Sequence, residues 1–318
     1  MLGYDRLSKR PQHFRSFTGL EVEEFDSLYS KIEGAYLASE ERRLLRDGKR
    51  KREVGAGRPF SLSLRDRLVM LLVYYRLYTT CTLLGYLFDL DETNVLRDIR
   101  YLEPAVRECL PLPKKVHQIT RRLRTIEEVE KFFPGFKAFI DATEQEIPRP
   151  KKDTRKRKTH YSGKRKRHTV KTQLTVNSNG LIVHKTDRHA RGRRHDIDVY
   201  RERHPDLPRE VQRVFDLGYK GVTKDFPELN CVHPFKRKGA GGRGHKGQKA
   251  QPLTPDEKRF NRELSRARVV VEHTISRAKK FNIFGQEYRN RLRNYDVMTD
   301  IVSGLVNLRI LGGTAIHG

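Results

Sequence analysis

A change in hydrophobic periodicity near residue 125 divides the sequence into two parts that must fold differently. Between residues 63 and 102, apolar residues recur at the three-to-four-residue spacing of helix faces. Apolar runs of strand length come after Thr125, at 136–147, 170–176, 181–187, 211–216 and 229–233, with helical segments near 197–203 and 255–280. Helices first, and then strands crossed by helices, predict an all-α unit followed by an α/β unit with a mixed sheet.

Charge limits the choice of partners. The chain has 67 Lys and Arg against 40 Asp and Glu, a formal net charge of +27, which most simply implies DNA or RNA. A basic structural protein without chemistry is the alternative. The three cysteines are far apart and form no CxxC pair, which indicates reduced thiols rather than a zinc site or a disulfide framework. Without a secretory h-region or an apolar run of membrane-spanning length, we expect a cytoplasmic protein with no membrane partner.

Three short helices are predicted between residues 61 and 115. They begin at the capping-box-like Ser63-Leu-Arg-Asp66, at Thr82, and at Glu92 after the capping residue Asp91, and the third ends at Leu102. Beyond them, Thr125-Ile-Glu-Glu128 predicts the start of a further short helix. The exposed face of the third helix carries Thr93, Asn94, Arg97 and Tyr101. A short helix, a tight turn and an arginine-bearing helix are typical of a helix-turn-helix that reads DNA, with a plain packing module as the alternative. The predicted domains are a basic N-terminal segment at 1–60, a helix-turn-helix domain at 61–115 and an α/β domain at 125–311. In the first, one amphipathic helix is expected over about 21–45 and a basic linker over 46–59.

Three carboxylates end or interrupt apolar segments. Asp141 ends "FKAFID", Asp216 ends "VQRVFD", and Glu272 lies inside "ARVVVEHTISRAKK" on the long helix. An ionised carboxylate among apolar neighbours is costly unless it is paired, hydrogen-bonded or bound to a metal. Arginine pairing is one explanation. The other is a Mg²⁺ site, because Mg²⁺ prefers carboxylate oxygens, and two such ions promote phosphodiester displacement.

The spacing on the long helix gives a second indication. Arg268, Glu272 and Lys279 lie at i, i+4 and i+11 and share one helix face, which would aim Glu272 at metals and the two cations at phosphates. A surface Arg–Glu pair explains the same spacing. Glu144 competes for a ligand role, but it lies three residues past Asp141 and thus on the opposite face of the strand.

Basic segments flank the carboxylates. Residues 149–171 are dense in Lys and Arg and are interpreted as a phosphate-gripping arm, with a solvated loop as the alternative. The expected DNA contacts are Lys164, Arg165, Arg167, His168 and Lys171. The glycine-rich stretch at 236–250 lacks the GxxxxGK[ST] pattern, so we expect no nucleotide cofactor there, only a flexible loop near DNA or disorder. "HDID" at 195–198 favours a structural or phosphate-contacting histidine over a metal pair.

Five motifs stand in a specific order: "IDATEQEIPRP", "YSGKRKRHTVKTQ", "GRRHDIDVY", "DLGYKG" and "RVVVEHTISRAKKF". As a set they resemble bacterial insertion-sequence transposases of the DDE superfamily, in the branch related to Harbinger elements, over roughly residues 60–311. Asp141 and Asp216 match the two catalytic aspartates and Glu272 the catalytic glutamate. Arg268 and Lys279 fit the helix signature of the family, whereas Ser265 stands where a tyrosine is expected.

The resemblance implies an RNase H-like fold, a mixed sheet flanked by helices, with the acidic trio at its edge. It implies two Mg²⁺ ions held by Asp141, Asp216 and Glu272, with Mn²⁺ as a substitute, and DNA contacts from Arg268 and Lys279. The expected activity is cleavage at the inverted repeats of a transposon, after which the freed 3′-hydroxyl attacks target DNA. The partners are double-stranded DNA and a second copy of the chain, in the bacterial cytoplasm at the nucleoid. A sequence-specific endonuclease without strand transfer and a catalytically silent DNA-binding regulator are the alternatives.

Overall fold

The computed structural model describes residues 2–45, 59–151, 153–237 and 251–312. Contacts divide the chain into two compact units, a helical unit formed by residues 1–113 with 277–318 and a sheet unit formed by residues 114–276. These units divide the chain differently from the predicted domains, because the C-terminal helices belong to the helical unit. The predicted linker at 46–59 and the glycine-rich segment from 238 to 250 lie almost entirely outside the described residues.

The strands begin at residue 137, after the helices of the first part, as the change in periodicity predicts. The helices are α1 (Tyr4–Ser8), α2 (Pro11–Thr18), α3 (Val22–Leu45), α4 (Leu64–Leu77), α5 (Cys81–Phe88), α6 (Glu92–Cys109), α7 (Pro113–Thr120), α8 (Ile126–Phe132), α9 (Thr154–His160), α10 (Asp196–Arg203), α11 (Val222–Asp225), α12 (Pro255–Lys279), α13 (Asn282–Gly285) and α14 (Tyr295–Ile310). The strands are β1 (Lys137–Glu146), β2 (Tyr161–Ser162), β3 (Arg167–Asn177), β4 (Ile182–Lys185), β5 (Ala190–Arg191), β6 (Gln212–Val214) and β7 (Cys231–Val232). Within the four described ranges, no helix combines the length and apolar character needed to cross a membrane.

Side-chain caps fix the helix starts where the sequence predicts them. The Ser63 hydroxyl accepts a hydrogen bond from Asp66 N at 3.1 Å, and Asp91 Oδ1 accepts one from Thr93 N at 2.8 Å. Thr125 and Glu128 form a reciprocal capping box at α8. α6 extends seven residues beyond the predicted end at Leu102, to Cys109.

In the helical unit, α4 is the central helix. Residues 67–75 are all buried, so this helix packs on every side rather than along one stripe. Two buried polar links join it to α6. Arg67 Nε donates to Asp98 Oδ1 at 2.6 Å, and the Tyr75 hydroxyl donates to Glu103 Oε1 at 2.8 Å. α6 is therefore held through its inner face.

A tight turn sets α6 against α5. Leu90 N donates to Gly85 O at 2.9 Å, and a Cβ built at Gly85 would lie only 2.4 Å from Leu90 O. Only glycine fits there, because any side chain would collide with the backbone of the turn. The helix-turn-helix predicted from the sequence is thus formed by α5, this turn and α6.

The sheet unit contains a mixed sheet with the strand order β2-β3-β1-β6-β7, to which β4 and β5 add by pairing with β3. β1 is antiparallel to β3 and parallel to β6, and β6 is parallel to β7. The hairpin predicted through residues 177–180 joins β3 to β4. The mixed α/β sheet is confirmed. β2, β5 and α9 lie in the charged stretches that the sequence shows only as basic segments.

α10 covers one face of this sheet. An apolar cluster joins Ile140 of β1 and Phe215, at the end of β6, to Tyr200 of α10 and to Tyr219 in the turn after β6. Tyr219 is fully buried, and its hydroxyl donates to Gln173 Oε1 of β3 at 3.2 Å. This packing fixes the first residues of α10 and the turn after β6 against the same strands.

Candidate active site

Asp141 and Asp216 lie side by side because of strand pairing. β1 and β6 run parallel, and their last register pair is Phe139 with Val214. Each aspartate follows that pair by two residues, so neighbouring strands carry both to the same level of the sheet. β1 continues beyond this level, whereas β6 ends and the chain turns. The two carboxylates therefore stand where the sheet opens at the end of a strand.

Asp141 is held in an environment that disfavours its charge. Its Oδ1 accepts a hydrogen bond from Ala142 N at 2.8 Å, and its Oδ2 lies 3.5 Å from Arg268 NH2. Burial raises the pKa of Asp141 to about 6, and the negative charges of Asp216 and Asp196 add to this effect, although Arg268 opposes it. The arginine thus compensates the carboxylate only in part.

The turn after β6 orients Asp216. Asp216 Oδ1 accepts a hydrogen bond from Gly218 N at 2.8 Å, which closes a short turn back on the aspartate. A Cβ built at Gly218 would lie 3.0 Å from Asp216 Oδ1 and 3.3 Å from Asp196 Oδ2. The absence of a side chain at Gly218 therefore lets both carboxylates approach this turn closely.

α12 brings Arg268 to the two aspartates. The Arg268 side chain is only 11% exposed, and its Nε is buried without a hydrogen-bond partner. Thr274 anchors the same helix to the β3–β4 turn through a 3.1 Å hydrogen bond to Gly180 O. Glu272 lies one helical turn beyond Arg268 and is exposed. Lys279 is the last residue of α12 and falls within the helical unit, whereas Arg268 and Glu272 belong to the sheet unit.

Lys171 is buried, in contrast to the other lysines expected to contact DNA. Its Nζ lies 2.9 Å from Asp196 Oδ1 and 3.4 Å from Glu144 Oε1, and its side chain is 8% exposed. Glu144 is the cross-strand partner of Lys171 in the β1–β3 register and also accepts from the Thr169 hydroxyl at 2.8 Å. Burial pushes the pKa of Glu144 up, but bonds from Ser162 and Thr169 and the charge of Lys171 outweigh it, so the pKa is lowered. The ammonium group of Lys171 is thus paired with two carboxylates, and its side chain is almost completely buried.

The donor set at Asp141 and Asp216 suits a hard divalent cation. Both side chains present carboxylate oxygen, the ligand that Mg²⁺ and Mn²⁺ prefer, and Asp141 is under-compensated by its arginine. The three atoms nearest to a Cβ built on Gly218 are carboxylate oxygens of Asp216 and Asp196. Across residues 2–45, 59–151, 153–237 and 251–312, however, no group of three or more His, Cys, Asp or Glu side chains is close enough to hold a metal. In this arrangement Glu272 does not complete a set of three with the two aspartates.

A cationic cavity lies on the sheet unit, near the start of β3. Lys164, Arg165 and Arg167 are exposed in and beside the β2–β3 turn, and His168 is half-buried. The cavity is lined by Arg149, Arg157, Lys158, Tyr161, Gly163, His168, Arg193 and His195. Burial lowers the pKa of His168, and Arg149 and Arg157 lower it further, so this ring offers a neutral hydrogen-bonding group. None of the eight lining residues is acidic, which suits a phosphate.

In the helical unit, α6 presents the polar face that the sequence predicts. Thr93, Asn94 and Arg97 are exposed, while Val95 and Ile99 are buried against the rest of the unit. Arg97 NH1 donates to Asn94 Oδ1 at 3.2 Å. The N-terminal residues of α6 are thus available to base edges in the way recognition helices use them.

Asp196 is the residue at this site that the sequence did not reveal. It lies in "HDID", where the histidine suggested a structural or phosphate-contacting role. The sequence does not show that α10 begins beside the turn after β6. The sequence did offer His195 and Asp196 as a possible metal pair, but a structural or phosphate-contacting histidine was the favoured interpretation.

Comparison with known proteins agrees with these features. A family model described as DDE superfamily endonuclease matches residues 140–307, and one described as helix-turn-helix of DDE superfamily endonuclease matches residues 60–112. The probable transposase for insertion sequence element IS702 from Microchaete diplosiphon is 29% identical over 275 residues, which cover 83% of this chain and 86% of that protein. No solved structure matches the chain.

Proposed function

Because this chain belongs to the DDE superfamily endonuclease family and carries the helix-turn-helix of that family, we propose that it is the transposase of an insertion sequence. In this proposal it binds the terminal inverted repeats of its element, cleaves the DNA at their ends and joins the 3′-hydroxyl to target DNA. The relative from Microchaete diplosiphon, a probable transposase, supports the assignment over most of both chains. Membership of the Harbinger-related branch is part of the same proposal.

One observation carries the proposal: the strand register sets Asp141 beside Asp216. Two carboxylates on neighbouring parallel strands, one with its pKa raised to about 6, favour the binding of a cation between them. Asp141 and Asp216 would hold Mg²⁺ or Mn²⁺, and Glu272 is the proposed third ligand, since it shares a helix face with Arg268, which already reaches Asp141. Two bound ions would supply Lewis-acid activation of the attacking oxygen and stabilisation of the leaving oxygen.

The protein's own side chains position the DNA. Arg268 lies against Asp141 with an unpaired Nε, so it is placed to bind a phosphate next to the scissile bond. Lys164, Arg165, Arg167 and the cationic cavity extend this positive surface along the backbone. His168 adds a neutral hydrogen-bonding group, and Lys279 stays a proposed contact from its position on the α12 helix face.

The fold and the assembly follow from the same proposal. The mixed sheet, with its two aspartates on adjacent parallel strands and α10 on one face, supports an RNase H-like domain. The exposed Thr93, Asn94 and Arg97 support recognition of the inverted repeats by α6. We propose that two copies of the chain pair two transposon ends, and that the protein works at the bacterial nucleoid without a nucleotide cofactor.

The test uses duplexes that carry the inverted repeats flanking the gene, either uncut or with a pre-cut 3′-hydroxyl end. The wild type with Mg²⁺ is expected to nick the first substrate and to join the second to a target plasmid. Asp216→Asn should bind the ends with unchanged affinity but lose both reactions. Glu263→Gln, an exposed acid-to-amide change on α12, is the matched control and should retain both.

The outcomes separate the alternatives. Nicking without joining of pre-cut ends would identify an endonuclease that lacks strand transfer. Binding of the ends by the wild type with neither reaction would identify a regulator. Full cleavage and joining by Asp216→Asn would overturn the proposed active site.

A further inference from the structure

Lys171 connects the proposed active site to a third aspartate. It lies on β3 opposite Glu144, and its Nζ bridges that glutamate at 3.4 Å and Asp196 at 2.9 Å. A buried lysine is costly unless its charge is paired, and here two carboxylates pair with it. Because Glu144 is on β1 and Asp196 is the first residue of α10, the lysine ties the start of the helix to the sheet.

The geometry of Asp196 directs its second oxygen to the proposed active site. Its Oδ1 is bound by Lys171, while its Oδ2 faces Gly218, 3.3 Å from where a Cβ would stand. Asp216 Oδ1 faces the same point at 3.0 Å. Asp196 of α10 and Asp216 of the turn after β6 thus each bring a carboxylate oxygen close to the Gly218 backbone.

The formal charges around the proposed site favour a divalent cation. Four carboxylates and two cations form the cluster, for a formal charge of −2: Asp141, Asp196, Asp216 and Glu144 against Arg268 and Lys171. A divalent cation balances that charge. Loss of Asp196 or of Glu144 would lower this charge equally, so position distinguishes the two: Asp196 Oδ2 lies near Gly218 and Asp216, whereas the Glu144 carboxylate pairs with Lys171 and accepts from the Thr169 hydroxyl.

We propose that Lys171 is a positioning residue which holds Asp196 beside Asp216, and that the carboxylate of Asp196, by its position there, is an outer-shell partner of the divalent-cation site. This inference rests on the proposed function, because it assigns further residues to the same site. It also gives Lys171 an internal role in place of the DNA contact predicted from the sequence. A merely structural role, fastening α10 to the sheet, would leave cation affinity unchanged.

The experiment measures binding of Mn²⁺ alone to the full chain by calorimetry, with the metal-free thermal midpoint as the test of folding. Asp196→Asn is the main variant, and Glu144→Gln is the matched control, since it removes the other carboxylate partner of Lys171. We expect Asp196→Asn to weaken Mn²⁺ binding by about tenfold, as loss of an outer-shell partner typically does. Glu144→Gln should change it by less than about twofold. Lys171→Met makes the cluster more negative, yet it should weaken binding like Asp196→Asn because Asp196 loses the bond that positions it, and Lys171→Arg should restore part of the affinity.

Two results would overturn the inference: wild-type affinity in a folded Asp196→Asn, or equal losses in Asp196→Asn and Glu144→Gln. Asp196→Asn is expected to fold, since Lys171 keeps Glu144. If it does not, Asp196→Glu keeps the charge but displaces the carboxylate, and wild-type Mn²⁺ affinity in that variant counts equally against the inference. Asp216→Asn in the same titration tests the underlying function separately. If it loses Mn²⁺ while Asp196→Asn does not, only the present inference fails, and if it keeps Mn²⁺, the proposed function fails.

Discussion

Each unit contains a buried aspartate beside an arginine, but the two aspartates differ in how closely the arginine pairs with them. In the helical unit, Asp98 meets Arg67 at 2.6 Å, and the same arginine also donates to the Tyr36 hydroxyl at 2.7 Å. In the sheet unit, Asp141 meets Arg268 only at 3.5 Å. Burial raises the pKa of both carboxyls, and nearby carboxylates add to this effect, Glu40 at Asp98 and both Asp216 and Asp196 at Asp141.

The difference separates a structural ion pair from the site that we propose binds a cation. Asp98 satisfies its charge within the chain and thereby fixes α6 to α4. Asp141 keeps an excess of negative charge around it, which a close-packed protein avoids unless something binds there. A variant that breaks the Asp98–Arg67 pair should therefore lose stability, whereas a variant at Asp141 should lose catalytic activity.

The largest expected effect is on catalysis, in Asp141→Asn. Cleavage of uncut ends should fall by about a thousandfold or more, the usual scale for loss of a central catalytic group. Stability of the metal-free protein at pH 7.5 should not fall, because the substitution removes an under-compensated charge. A nicking assay and a thermal melt measure the two. A lower thermal midpoint together with retained cleavage in Asp141→Asn would contradict the catalytic role of this aspartate.

The reverse outcome is expected for Arg67→Met. It leaves Asp98 buried without its arginine, and breaking a buried ion pair in this way costs about 3–5 kcal/mol of unfolding free energy. Urea denaturation of the metal-free protein measures it. Arg97→Ala, an exposed arginine of the same unit, should stay within about 0.5 kcal/mol of the wild type. Equal stability of the two variants would contradict the structural role of the pair.

The pH dependence of stability sharpens the comparison. The pKa of Asp141 is raised to about 6 in the folded state against 3.8 in the unfolded chain, so the folded state takes up the proton first as pH falls. The metal-free wild type should therefore gain stability relative to Asp141→Asn between about pH 7 and pH 4, by roughly 2 kcal/mol. Chemical denaturation at several pH values tests this, and parallel curves for the two proteins would argue against the burial of this charge.

Within the helical unit, Arg97→Ala should change recognition rather than stability. A recognition-helix arginine that contacts a base contributes about 1–3 kcal/mol, so binding to the inverted repeats should weaken about tenfold or more. Binding to unrelated duplex should change little. Arg293→Ala, an exposed arginine outside α6, is the control in the same gel-shift or anisotropy titration. Equal loss on both duplexes would make Arg97 a phosphate contact.

The smallest expected effect belongs to the exposed cations of the sheet unit. Removing Lys164 and Arg165 together should weaken binding equally on every duplex sequence. It should also reduce the slope of log affinity against log salt by about 2, close to one unit for each phosphate that is no longer neutralised. Arg259→Ala, an exposed arginine already paired with Asp256, should leave the slope unchanged. An unchanged salt slope in the double variant would show that Lys164 and Arg165 do not contact DNA phosphates.

Local signals in the sequence located the elements well wherever capping or turn chemistry is explicit. Ser63, Asp91 and Thr125 each cap the helix predicted after them. The short strands β2 and β5 and the helix α9 were not predicted, since two-residue strands have no periodicity and the basic residues of α9 resemble those of a solvated loop. α14 was also missed.

The candidate site shows the same limit. Asp141 and Asp216 each close an apolar run, so both were visible in the sequence as candidates, but Asp141 lies in the middle of β1 rather than at its end, and Asp216 lies two residues beyond β6. The burial of Lys171 was not visible, because its two carboxylate partners come from β1 and α10, which are brought to it only by the tertiary fold. No local pattern distinguishes a lysine paired inside a sheet from one that faces solvent.

The attachment of α6 through its inner face has an evolutionary consequence. Since Asp98 and Glu103 secure the helix from within, the outward positions 93, 94 and 97 carry no duty in maintaining the fold. Under the proposed function, these positions can therefore change together with the terminal sequences of the element, while the residues proposed for DNA cleavage stay the same.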